Sequence, residues 1–145
     1  MRELLKAIKA HLQADETLSY IRDSDISIAS DENFFPPSGN FPAIVIRDGA
    51  IRNEQMLARN YLQYAEVRVS IFQRILKPEE SLIGTHGVLA IAHDVIASLI
   101  DQRFDLVGVQ NVFPISEDPS QFFGNKNEMI QKKTITFVFT IHKSW

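Results

Sequence analysis

Leu4, Leu5, Ile8 and Leu12 recur at steps of one, three and four, while Arg2, Glu3, Lys6, Lys9 and Gln13 take the other side. An apolar stripe with a charged back predicts an amphipathic helix over residues 2–14. Tyr20, Ile21, Ile26 and Ile28 lean toward strand, but Asp23-Ser24-Asp25 interrupts them, which leaves a short strand at 25–29. Asn33 to Pro42 gathers Pro36, Pro37, Gly39, Asn40 and Pro42 and is read as loop. Ala43–Arg47 is a brief apolar strand, closed by the turn pair Asp48-Gly49 and expected to pair with the run that follows. Over 64–72, Val67, Val69 and Ile71 alternate with Glu66, Arg68 and Ser70, so one face of that strand is apolar and the other wet.

Lys77 to Ser81 breaks the alternation before a second helix at 86–101. There Val88, Ile91, Ala92, Val95, Ile96, Leu99 and Ile100 make one broad stripe, with Ser81 or Thr85 as N-cap. At about 1.5–3 kcal/mol per buried large aliphatic side chain, this is the expected core helix. Phe104–Ile115 reads as a strand kinked at Gly108, and 116–129 as a polar loop carrying Phe122, Phe123 and Gly124. The chain closes on a strand at 133–143, with Ile135, Phe137, Phe139 and Ile141 on one side and threonines on the other. Helix, strands, helix, strands, joined by hairpins rather than repeated βαβ units, is an α+β pattern. The expectation is one domain over 1–145, a mixed and mainly antiparallel sheet with two helices on one face.

The 145 residues carry a net charge of -3, 45% apolar side chains and no cysteine. A chain of this length supports an ordinary core without staples. Zero cysteines excludes disulfides, thiolate catalysis and Cys-ligated metal, and suits the cytosol. Charges spaced every few residues from Met1 do not fit a signal peptide, and Val88–Ala92 is far shorter than a bilayer span, so no membrane partner is expected. The acidic balance argues against sequence-specific nucleic acid binding, which draws on Lys and Arg. Charge is nevertheless segregated. Residues 15–32 hold Asp15, Glu16, Asp23, Asp25, Asp31 and Glu32 against Arg22, a net -5. Residues 47–77 hold Arg47, Arg52, Arg59, Arg68, Arg74 and Lys77 against Asp48, Glu54 and Glu66, a net +3. Both segments fit solvated loops; they also fit two surfaces of opposite sign that meet between copies of the chain.

Active-site chemistry is sparse. His86 and His93 lie two helical turns apart, about 10 Å, too far to share one metal ion. His11 and His142 have no flanking ligand pattern, and Asp23-Ser24-Asp25 lacks the glycine and spacing of a calcium loop. The six glycines are scattered, with no nucleophile elbow, phosphate loop or dinucleotide fingerprint. Gly84-Thr85-His86-Gly87 ahead of a helix is read as a tight helix entry rather than an anion site. No enzyme, cofactor or metal is expected. Apolar side chains in predicted loops are the more telling feature: Phe34 and Phe35 in the proline segment, Met56 and Leu57 in the charged stretch, Phe122 and Phe123 near the end. They either cap the ends of the core or anchor a protein partner, for Phe and Met are enriched at interface centres.

An amphipathic amino-terminal helix, a Pro-rich loop leading into Phe41-Pro-Ala-Ile-Val-Ile-Arg-Asp, the strand Tyr64-Ala-Glu-Val-Arg-Val-Ser-Ile-Phe, one strong helix at 86–101 and an alternating strand at Thr134–His142 follow in order. Across nearly the whole chain this layout resembles the tail terminator and tail-completion proteins of long-tailed bacteriophages and prophages. The resemblance implies a non-catalytic, cofactor-free minor tail protein that forms a homo-oligomeric ring, a hexamer in that family, on the end of the tail tube and stops its growth. It implies the tail tube and the head-tail connector as partners. It also implies a place in the virion tail, reached from the bacterial host cytoplasm during assembly. Segments 48–60 and 116–129 would then be ring-face or lumen segments. Phe34, Phe35, Arg52, Met56, Leu57, Arg59, Asp23, Asp25, Phe122 and Phe123 become candidate interface residues. Two alternatives stand beside it: a bacterial small-ligand or enzymatic domain with its pocket between helix 86–101 and the sheet, and a monomeric or dimeric host adaptor.

Overall fold

The computed structural model describes residues 1–30, 36, 40–125 and 128–144. The amino-terminal stripe folds as helix α1, Arg2–Ala14, which buries Leu4, Ile8 and Leu12. Asp15 follows it and caps a 3-10 turn by accepting the Thr17 amide at 2.9 Å. Strand β1, Ile26–Ile28, runs parallel to strand β2, Ala43–Gln55, over Ile44–Ile46. Strand β3, Asn60–Arg74, returns antiparallel to β2 and pairs along its whole length with strand β6, Glu128–Ser144. Strand β4, Val109–Glu117, and strand β5, Gln121–Asn125, both lie on the far side of β6. The order is β1-β2-β3-β6-β4, with β5 beside β6 off that path. This is the expected α+β architecture.

Period-two patterning decides which face is covered. Ile44, Ile46, Val67, Val69, Ile71, Ile135, Phe137, Phe139 and Ile141 join one cluster with the α1 stripe and with Val88, Ile91, Val95 and Leu99. The four α3 residues are 0% exposed, so this helix is the centre of the core. It is shorter than the sequence predicts. A six-residue helix α2, Pro78–Ile83, precedes helix α3, Val88–Leu99, and Gly84–Gly87 breaks the two apart. Gly87 stands at the α3 N-cap; Ser81 instead lies inside α2, where its hydroxyl donates to the Pro78 carbonyl at 2.9 Å. Pro78–Leu99, 22 residues, is long and apolar enough to cross a membrane by composition alone. The break at Gly84–Gly87 and the burial of the α3 stripe make it the core of this fold.

Four further expectations are corrected. Asp48-Gly49 does not turn the chain: β2 continues to Gln55 through a bulge between Asp48 and Ile51. Gly49 is needed there because a β-carbon would sit 2.8 Å from the Glu66 β-carbon on β3. Segment 116–129 is not a loop throughout, since β5 forms a hairpin with the start of β6 and carries Phe122 and Phe123 as strand residues. The strand expected from Phe104 starts only at Val109; Phe104 and Asp105 turn the chain with φ of 56° and 54°. Packing holds Phe104 in that unfavourable region, with its ring 5.4 Å from His11 and 6.0 Å from Phe139. Nor is the second sheet face wet throughout. Val45, Phe72 and Ile130 form a small cluster there against Ala29 and Phe41, and Ser70 and Thr134 share a buried hydrogen bond of 3.0 Å.

Candidate functional site

The helices cover the lower part of the sheet, and the long strands run beyond them. Fifteen residues of β3 span about 50 Å. The outer part of the β2–β3 hairpin forms an arm on which every β2 residue from Ala50 to Gln55 is exposed. On the arm, Arg52 lies 4.3 Å over the Tyr64 ring and 3.6 Å from the Glu54 carboxylate. Glu54 and the Tyr64 hydroxyl are 3.5 Å apart. Both strands contribute to this small network, which sets the rotamers of the exposed face. The tip turns at Ala58, φ 58°, and presents Met56 and Leu57, the latter 87% exposed, beside exposed Arg59. Four sequence-predicted residues, Arg52, Met56, Leu57 and Arg59, therefore sit together on one projection.

A second surface lies at the opposite edge of the sheet. Phe113, Ile115 and Phe122 are exposed on β4 and β5, and Val107 is fully open just ahead of β4. Sequence reasoning names Phe122 and Phe123 here but misses Val107, Phe113 and Ile115, which it reads only as part of the strand Phe104–Ile115. Phe34 and Phe35 lie outside the described residues.

In the basic segment Arg68 meets the Asp118 carboxylate at 3.1 Å, and outside both segments Lys133 approaches Glu117 at 3.9 Å. In the acidic segment Asp23 is exposed, whereas Asp25 is buried at 5% exposure. That burial corrects its expected role as a surface partner, because the 3-10 turn at Asp23–Asp25 directs it into the fold.

Two grooves adjoin at Gln73, Arg74 and Leu76. One of about 400 Å³ reaches Lys77, Glu80 and His86; the other, about 470 Å³, reaches Tyr20, Arg22 and Phe41. The Tyr20 ring stacks on His86 at 4.0 Å, and its hydroxyl is buried without a hydrogen-bond partner among the described residues. Burial, and secondarily the Asp94 carboxylate, push the Tyr20 phenol up to about 12, so it stays neutral near pH 7. The first groove is also lined by Ser81 and Thr85, and the Ser81 hydroxyl is engaged with the Pro78 carbonyl. The histidines are dispersed: His11 bonds the Ser98 carbonyl at 3.0 Å and ties α1 to α3, His86 lies in the α2–α3 junction, and His93 is exposed on α3. Among the described residues, no three His, Asp or Glu side chains group as metal ligands.

No protein-family model and no curated protein matches the chain. Among solved structures, the fold is similar to a chain of the virion of the native gene transfer agent particle. The TM-score is 0.63 at 14% identity, covering 97% of this chain and 95% of that one. At that identity the likeness is one of fold, and it extends over both chains almost from end to end.

Proposed function

We propose that this protein is a non-enzymatic structural subunit of a phage-like particle, a tail terminator or tail-completion protein that assembles as a ring at the head-tail junction. The fold shared end to end with a virion chain carries the reading. It supports a virion protein, the broader class that the order of elements also resembles. The surfaces agree in kind. A head-to-tail ring needs two different complementary patches on each subunit, and this chain presents an apolar-tipped arm with Arg59 on one side of the sheet and an apolar edge on the other. Its partners would be further copies of itself, the tail tube and the connector. The alternative, a ligand or enzymatic pocket between α3 and the sheet, finds that space filled by Val88, Ile91, Val95 and Leu99, each 0% exposed.

Charge should act mainly on the rate of association. Exposed ion pairs contribute only about 0–1 kcal/mol each, so Met56 and Leu57 would supply more of the affinity than the arginines. Arg59→Glu, or Arg52→Glu with Arg59→Glu, should slow assembly by roughly tenfold at low salt and much less at high salt. Adding Asp23→Lys should recover part of the rate. Stopped-flow light scattering on folded variants reads this directly, and unchanged assembly kinetics in the double reversal would refute the charge assignment.

A further inference from the structure

The sheet has two unequal open edges. β1 pairs with β2 only as far as Ile46, so among the described residues no strand pairs with the outer edge of β2 from Asp48 to Gln55. The Met56 amide donates to the Asn60 carbonyl at 2.9 Å, and Gln55 stands opposite Tyr61. Antiparallel ladders alternate, so Arg52 and Glu54 turn their backbone groups to β3. Ile51, Asn53 and Gln55 turn theirs outward. Natural sheets guard such an edge with lysine, proline or short length; Ile51-Arg-Asn-Glu-Gln55 contains neither residue. On the far side, among the described residues, no strand pairs with the outer edge of β4 either. Bulges lie between Val109 and Asn111 and between Pro114 and Ser116, so the regular stretch is Asn111–Phe113; the His142 amide donates to the Gly108 carbonyl, and by alternation Val112 turns its backbone groups outward.

Strand direction and charge relate the two edges. β2 is antiparallel to β3, β3 to β6, and β6 to β4, so β4 runs opposite to β2. A rotation about an axis along the strands preserves every direction and lays the β4 of one copy antiparallel to the β2 of the next. The segment 47–59 carries Arg47, Arg52 and Arg59 against Asp48 and Glu54, net +1, and 105–118 carries Asp105, Glu117 and Asp118 with no basic residue, net -3. Arg68 and Lys133 offset part of that charge, and the sign that remains is opposite. Exposed Ile51 lies at one edge and Phe113 at the other.

We propose that a second copy of this chain occupies the β2 edge: its β4 stretch Asn111–Phe113 adds as an antiparallel strand beside Arg52–Glu54, with Val112 opposite Asn53, joining the sheets of neighbouring subunits head to tail. This rests on the ring reading above and specifies its contact.

Because the chain has no cysteine, engineered pairs report cleanly. Glu54→Cys and Asn111→Cys, which this register places opposite one another on the same face, should when mixed and oxidised give a mixed dimer well above either homodimer, and the double variant should give a ladder of crosslinked oligomers. Asn53→Pro removes an outward amide that β3 does not use, an edge position where proline is tolerated. It should weaken association about tenfold with an unfolding transition like that of wild type, while Asn53→Ala should associate normally. Wild-type oligomers from which Asn53→Pro is indistinguishable, or in which Glu54→Cys links chiefly to itself, overturn the edge contact and leave the ring reading standing. A wild type monomeric at every concentration overturns both.

Discussion

Leu99→Ala should destabilise the folded chain by about 2–5 kcal/mol, a large part of the roughly 5–15 kcal/mol available to a domain. Leu99 is the last residue of α3, is 0% exposed, and belongs to the cluster that includes Phe137 and Phe139. Truncation removes transfer free energy and leaves a cavity bounded by two sheet strands that cannot collapse inward, which places the cost above that of a helix-end residue with soft neighbours. At about 2–4 °C per kcal/mol for a chain of this size, the melting temperature should fall by roughly 5–15 °C. Leu89→Ala on the same helix removes a side chain that is 40% exposed and should cost far less. Denaturant unfolding of both variants gives the comparison. Equal midpoints would show that α3 is not the core helix.

Gly108→Ala should cost about 2–3 kcal/mol, although it adds only one carbon. Gly108 has φ of 88°, a region that costs an L residue about 1–2 kcal/mol. Its added β-carbon would be driven into the His142 carbonyl. The His142 amide donates to the Gly108 carbonyl at 2.8 Å, so relieving the clash sacrifices a bond worth about 1 kcal/mol. The damage should concentrate where β4 starts against β6. Hydrogen exchange should show faster opening at Val109 and His142 with the α1–α3 packing retained. An unfolding curve and exchange pattern like wild type would contradict this reading of Gly108.

The parts of the fold legible in the sequence are those where burial is one-sided. Leu4, Ile8 and Leu12, the stripe from Val88 to Leu99, and the alternation from Thr134 to His142 each face one core, and each element formed where its period indicated. The outer half of β2 was illegible for the opposite reason. Ile51-Arg-Asn-Glu-Gln55 is exposed on both faces, so it has no period-two signal, and its strand state comes from backbone pairing with β3. β5 is held in the same way by the first residues of β6. Asp48-Gly49 has the composition of a turn, but a bulge needs the same small residue where backbones approach, and composition does not separate the two. Among candidate interface residues, the apolar pair Met56-Leu57 in a charged stretch was a true sign of exposure. Asp25 was not, because its burial follows from a 3-10 turn that no local pattern marks. The open edges of β2 and β4 had no sequence signal, since an edge is defined by which strand is missing beside it.

Self-assembly is the central claim, and sedimentation velocity of the wild-type chain across protein concentration, at low and high salt, tests it most directly. The expected result is growth from the 16.5 kDa chain to a closed ring, at six copies about 99 kDa, with salt slowing its formation more than it weakens the finished ring. A single 16.5 kDa species at every concentration and salt would contradict it.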